Sequence, residues 1–126
     1  MSSGVGADKY LIHYGAKKET IFHYSFSSLK EDDIETTVKT KEEKLKLRNL
    51  LGICEEKMVV FVGSLIHRKG IDILLKACKD MEDTAVVLVG GSDISAYKDM
   101  VSEKLKEHIH PVGFKNKEEI KKYYQA

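Results

Sequence analysis

Apolar positions along this chain fall into a repeating order, a short unbroken run followed by a spaced stripe, which predicts strands alternating with helices. Residues 58–62, Met-Val-Val-Phe-Val, are apolar without alternation. That pattern suits a strand covered on both faces of a parallel sheet, so this run is expected at the sheet's centre, flanked by similar runs at 85–89 and 109–112. After Gly70, residues Ile71, Leu74, Leu75 and Cys78 recur at three- and four-residue steps and predict an amphipathic helix, with Asp72 near its positive end and Lys76 and Lys79 toward its negative end. Gly90-Gly91-Ser92-Asp93 turns into one further helix carrying Tyr97, Val101 and Leu105, with Asp93 as its N-cap. Two capping-box spacings, Thr40 to Glu43 and Asn116 to Glu119, open two more helices. The first should set Leu47, Leu50 and Leu51 on one side and end at Gly52, and the second should carry Ile120, Tyr123 and Tyr124. Upstream, residues 8–14 predict a short helix with Tyr10, Leu11 and Tyr14 on one face and Gly15 beyond its end, and residues 21–24 predict a brief strand. A Ser-rich, then acidic stretch at 25–33 reads as a linker, which divides the chain into 1–28 and 29–126.

Strand and helix alternating at this spacing predict an α/β fold, a parallel sheet with helices flanking both faces. Composition narrows the setting. At 126 residues, 42% hydrophobic and 33% charged, the chain suits one domain with a modest core and excludes general disorder. No apolar run approaches the roughly 20 residues of a membrane helix, and Met-Ser-Ser-Gly lacks the features of a secretory signal, so a cytoplasmic protein without a membrane span is expected. A net charge of +1 offers no global field for nucleic acid. Cys54 and Cys78 lack a C-x-x-C spacing and read as reduced thiols. His108 and His110 would share a strand face, but the sequence places no carboxylate or third histidine beside them, so no metal site is assigned. There is no G-x-S-x-G elbow, nor any Ser, His and Asp set that spacing would orient.

One loop stands out chemically. Between the run at 58–62 and the helix after Gly70, Gly63 leads to Arg68 and Lys69 at the helix N-terminus, where unpaired amides, the helix dipole and two cations could bind an anion. A solvated basic pair is the plainer alternative, and both stand at this point. Gly63 to Gly70 is not the dinucleotide G-x-G-x-x-G, and no Ser or Thr follows Lys69 and Gly70 as a P-loop requires.

The stretch Phe61-Val-Gly-Ser-Leu-Ile-His-Arg-Lys-Gly-Ile-Asp-Ile-Leu-Leu-Lys-Ala77 resembles the opening of the second domain in group 1 (family 4) glycosyltransferases. Val87-Leu-Val-Gly-Gly91 resembles the next strand and glycine turn of that family, and Val112-Gly-Phe-Lys-Asn-Lys-Glu-Glu-Ile-Lys-Lys-Tyr-Tyr124 resembles the stretch before its acidic sugar-binding segment. Ala7-Asp-Lys-Tyr-Leu-Ile-His-Tyr-Gly15 and residues 18–29 look like the end of the first domain and the interdomain crossing. The resemblance implies a Rossmann-like sheet within a two-domain GT-B enzyme, retaining and metal-independent. Such an enzyme transfers a sugar from a nucleotide-diphosphate donor to an acceptor such as a growing glycan, as in polysaccharide biosynthesis. By the same resemblance Lys69 matches the donor-diphosphate lysine, with Gly63, Ser64 and Arg68 completing the diphosphate loop, and Val112, Gly113 and Phe114 approach the nucleotide base. Ser64 stands where the family commonly has an arginine, so either Arg68 supplies that charge or the diphosphate is held less tightly. The family's E-x7-E segment and nearly all of its first domain have no counterpart here, which implies a fragment with no assignable catalytic residue. Its expected partners are the nucleotide sugar, the remainder of the parent enzyme and a second copy of itself bound through exposed sheet edges; no other cofactor is expected. The alternative is a non-catalytic nucleotide-binding or protein-interaction module of the same fold.

Overall fold

A computed structural model describes residues 1–24 and 29–126, so part of the expected linker, residues 25–28, lies outside the described residues. The chain divides into two compact units, Met1–Val38 and Lys39–Ala126. In the first, helix α1 spans Val5–His13, and Gly15 follows at φ +94°, a conformation that glycine adopts without a Cβ penalty. Tyr10 and Tyr14 lie on one face of this helix and its end, with ring centroids 4.8 Å apart. The strand expected at 21–24 is reduced to a parallel bridge between Ser2 and His23. Ser2 donates its amide to the Phe22 carbonyl at 2.8 Å and accepts from the Tyr24 amide at 3.0 Å, but no longer strand runs alongside among the described residues.

The second unit opens with α2, Lys41–Leu50, on the expected capping box: Thr40 Oγ1 accepts the Glu43 amide at 3.2 Å and Glu43 Oε2 accepts the Thr40 amide at 2.8 Å. Its inward side carries Leu47, Leu51 and the buried Arg48, whereas Leu50 is 83% exposed, contrary to the expected grouping. Arg48 donates to the carbonyl oxygens of Glu55 and Glu56, which turns its side of the helix inward. Two residues further on, about 200° around the axis, Leu50 must then face outward.

Three strands, β1 (Lys57–Val62), β2 (Thr84–Val89) and β3 (Ile109–Gly113), form a parallel sheet in the order β1-β2-β3. The expected central place of β1 is therefore wrong: β2 is central and buried at every position, while β1 is half-buried along its middle and exposed at both ends. Both runs are unbroken apolar stretches, and periodicity cannot rank two such strands; the packing partners on either side do. Val86 and Leu88 of β2 pack on one face with Ile71, Leu75 and Cys78 of α3 (Ile71–Cys78). The alternate residues Ala85, Val87 and Val89 pack on the other with Ile53 and with Tyr123 of α5, which spans Lys117–Gln125. The result is a Rossmann-like α/β arrangement with helices on both faces of the sheet. Pro111 lies in β3, which among the described residues pairs only with β2, a place where a missing amide donor is tolerated.

The single helix expected after Asp93 is instead two pieces, a 3-10 segment at Ser95–Met100 and the short helix α4 at Glu103–Lys106. Asp93 closes only a local turn, accepting the Ser95 amide at 2.8 Å. Ser102 breaks the run, because its hydroxyl accepts the Leu105 amide as a new N-cap and donates to the Lys79 carbonyl at 2.6 Å, tying α4 to the chain just after α3. A second capping box, Asn116 with Glu119, opens α5 as expected. Among the described residues no helix is long and apolar enough to cross a membrane.

Candidate functional site

Because the three strands run parallel, their carboxyl ends meet at one edge of the sheet, and each ends on or just before a glycine: Gly63, Gly90 and Gly113. The backbone is laced across this edge. The Gly63 amide donates to the Val89 carbonyl and the Gly90 amide to the Gly113 carbonyl, each at 2.8 Å. Gly90 has φ +121°, and a Cβ built there would lie 2.3 Å from the Gly63 oxygen, so the approach of these two chain segments requires glycine.

From this edge the chain passes through Ser64, which is exposed, into a 3-10 turn at His67–Lys69 and then through Gly70, at φ +75°, into α3. Gly70 ends the turn and opens the helix at once, so Arg68 and Lys69 sit directly before first-turn amides that have no intrahelical acceptor. Both cationic side chains are exposed, and neither forms an ion pair with a described residue. Opposing them is Asp72 in the first turn of α3, only 10% exposed at its side chain, with Oδ2 3.1 Å from His67 Nδ1. The helix dipole favours a carboxylate there, so part of the positive field is already answered, and an incoming anion relies more heavily on Arg68 and Lys69.

At the other side of the edge, Val112 and Gly113 end β3 half-buried, and Phe114 projects at 86% exposure. Two strand spacings, about 10 Å, separate the 63–70 loop from this segment, with Gly90 and Gly91 between them. The structure thus brings Gly63, Ser64, Arg68 and Lys69 to the same edge as Val112, Gly113 and Phe114 and separates the two groups by the central strand. In open α/β sheets this edge is where ligands bind, and an exposed aromatic offers a face on which a planar base can stack.

Sequence reasoning missed three features. The buried Asp72 was legible only as a charge near the helix start. Tyr97 has the spacing of a core residue, yet its hydroxyl donates to the Leu65 carbonyl at 3.2 Å, inside the candidate loop. Beside His108 and His110, where no carboxylate was expected, lies Glu55: its Oε1 is 3.0 Å from His108 Nδ1 and 2.9 Å from His110 Nε2. Burial by itself would raise the Glu55 carboxyl, but hydrogen bonds from His110 and then His108 outweigh it and hold the group down at about 2. This cluster joins the chain before β1 to the start of β3, the sheet edge opposite the glycines, and so is a tie between elements. Among the described residues no group of three or more His, Cys, Asp or Glu side chains is arranged to hold a metal ion.

The family described as "Glycosyl transferases group 1" matches residues 43–126, which include all three strands and every residue of the candidate site. A protein named "Uncharacterized glycosyltransferase MJ1607", from Methanocaldococcus jannaschii, is 31% identical over 91 residues, 68% of this chain and 23% of that relative. The chain therefore spans about a quarter of that relative's length. No solved structure gives a significant match.

Proposed function

The chain belongs to the group 1 glycosyl transferases, and from that premise we propose that its 63–70 loop binds the diphosphate of a nucleotide-sugar donor. The observation that carries this reading is the exposed Arg68 and Lys69 pair, set by Gly70 at the N-terminus of α3 on the carboxyl edge of a parallel sheet. As the bond from the sugar to the diphosphate breaks, negative charge grows on the leaving phosphate. Lys69, with Arg68 beside it, neutralises that charge, Ser64 contributes a neutral hydrogen bond, and the first-turn amides of α3 face the same oxygens. Val112, Gly113 and Phe114 receive the base. The sugar transfer served by this loop is read as retaining and metal-independent, in a GT-B enzyme acting in the cytoplasm on an acceptor such as a growing glycan. No residue here is assigned to bond-making.

Isothermal titration with UDP, GDP and ADP tests the reading. Lys69→Ala should weaken binding of the preferred nucleotide by about 1.5 to 3 kcal/mol, roughly ten- to a hundred-fold, because it removes a charge-assisted contact. Arg68→Ala should cost less. Unchanged affinity in Lys69→Ala contradicts the assignment.

A further inference from the structure

The loop that presents Arg68 and Lys69 is held from behind by two side chains that the proposed function leaves unused. Tyr97, in the 3-10 segment Ser95–Met100, donates its hydroxyl to the Leu65 carbonyl across 32 residues of sequence. The Leu65 side chain sits over Gly91, where a Cβ would come within 3.0 Å of its Cγ, so Leu65 is pinned on two sides. Two residues later, His67 Nδ1 lies 3.1 Å from Asp72 Oδ2; the imidazole is 86% exposed while the carboxylate is nearly buried. The second oxygen of Asp72 is buried without a hydrogen-bond partner. Between these points the turn is closed by short backbone bonds, Lys69 amide to Ile66 carbonyl at 2.9 Å and Gly70 amide to His67 carbonyl at 2.8 Å. Neither Ile66 nor Gly70 supplies a side-chain cap.

We propose that Tyr97 and Asp72 are positioning residues for the anion-binding loop, Tyr97 acting through Leu65 and Asp72 through His67. This inference rests on the reading of the 63–70 loop as the diphosphate site. Long cationic side chains on an unrestrained turn lose rotamer and backbone freedom when they close on a ligand, and that cost is subtracted from affinity. With residues 65 and 67 fixed, the turn bearing Arg68 and Lys69 is ordered before the ligand arrives. Neither anchor touches the ligand.

The test uses the full chain as wild type, Tyr97→Phe, Asp72→Asn, His67→Ala and Lys69→Ala, titrated with UDP and separately with inorganic pyrophosphate, and followed by NMR-detected amide exchange without ligand. Tyr97→Phe keeps the ring and removes only the hydroxyl, so it should weaken both probes about three- to ten-fold, as loss of one hydrogen bond implies. The Lys69 and Gly70 amides should exchange faster, while those of β2 stay unchanged. A purely structural role for Tyr97 would instead speed exchange across residues 94–101 and leave affinity and the two loop amides as in wild type; that result overturns its role. His67→Ala, at an exposed position, breaks the contact with Asp72 and should behave like Tyr97→Phe. Asp72→Asn is read by exchange at the Lys69 and Gly70 amides, which should also quicken, because loss of a negative charge beside Arg68 and Lys69 by itself favours an anion and offsets the change in affinity. Loss of affinity in Lys69→Ala with none in Tyr97→Phe and His67→Ala overturns the anchors and keeps the site. If Lys69→Ala changes nothing, or no probe binds, the site reading fails, and exchange at Lys69 and Gly70 decides the anchors: faster in the variants supports them, unchanged overturns them.

Discussion

Gly90 has no room for a single extra carbon. A Cβ at 2.3 Å from the Gly63 oxygen cannot be relieved by a rotamer change, since the obstacle is backbone, and φ +121° adds its own penalty. Gly90→Ala should therefore lower stability by on the order of 2 kcal/mol or more, read as a shift of the denaturation midpoint without loss of two-state behaviour. Glu55 makes a different kind of prediction, because its carboxyl is held at about 2 against an ordinary 4.5. A depressed folded pKa means that the unfolded chain takes up the proton first. The stabilisation is complete above about pH 4.5 and is lost as pH falls toward 2, and it amounts to at most on the order of 3 kcal/mol. Urea denaturation across that window should show the wild type losing stability more steeply than Glu55→Gln, which has no proton to take up; equal slopes would remove Glu55 from the account.

The two units differ element by element. β2 is buried at every position, and α3 buries Ile71, Asp72, Leu75 and Cys78, whereas α1 buries none of its nine residues. A helix of that length gains little from its own hydrogen bonds in water, so without apolar burial its opening costs little free energy. Amides of α1 should exchange orders of magnitude faster than those of β2; comparable protection in the two elements would show that α1 is covered in solution. α2 and α5 start with reciprocal caps, worth about 1 kcal/mol each. The second unit is thus reinforced locally as well as by its core.

Taken whole, every buried hydrophobic residue described here belongs to Lys39–Ala126, and Met1–Val38 exposes Val5, Tyr10, Tyr14, Phe22, Ile34 and Val38. The sheet adds a second unsatisfied surface, since β1 pairs only with β2 and its other edge is open among the described residues. Beside that strand, Met58 and Val60 line a hollow of about 440 Å³ with Lys44, Arg48, Tyr123 and Tyr124. An open strand edge next to apolar surface favours pairing with another strand. As part of the proposed function, the purified chain should self-associate, with light-scattering mass rising across micromolar concentrations. A constant monomer mass would remove the second copy from its partners.

The features determined by sequence alone are those whose physics is contained within a few residues. Both capping boxes close between side chains three positions apart, the stripe of α3 follows from helical pitch, and the lysine before Gly70 lies at the helix start whatever surrounds it. Such interactions form wherever the local chain takes up its preferred conformation, and the pattern of residues is a sufficient description of them. Tertiary structure decided what depends on partners distant in sequence. The central place of β2 rather than β1 and the outward turn of Leu50 follow from which surfaces were available to pack, and the break at Ser102 is held by its bond to the Lys79 carbonyl 23 positions away. The same holds for the Tyr97 bond to Leu65 over 32 positions and for the Glu55 contacts with His108 and His110 over 53 and 55. Residues so far apart meet only after the sheet has assembled, because closing the intervening chain costs entropy that only the core's buried surface offsets.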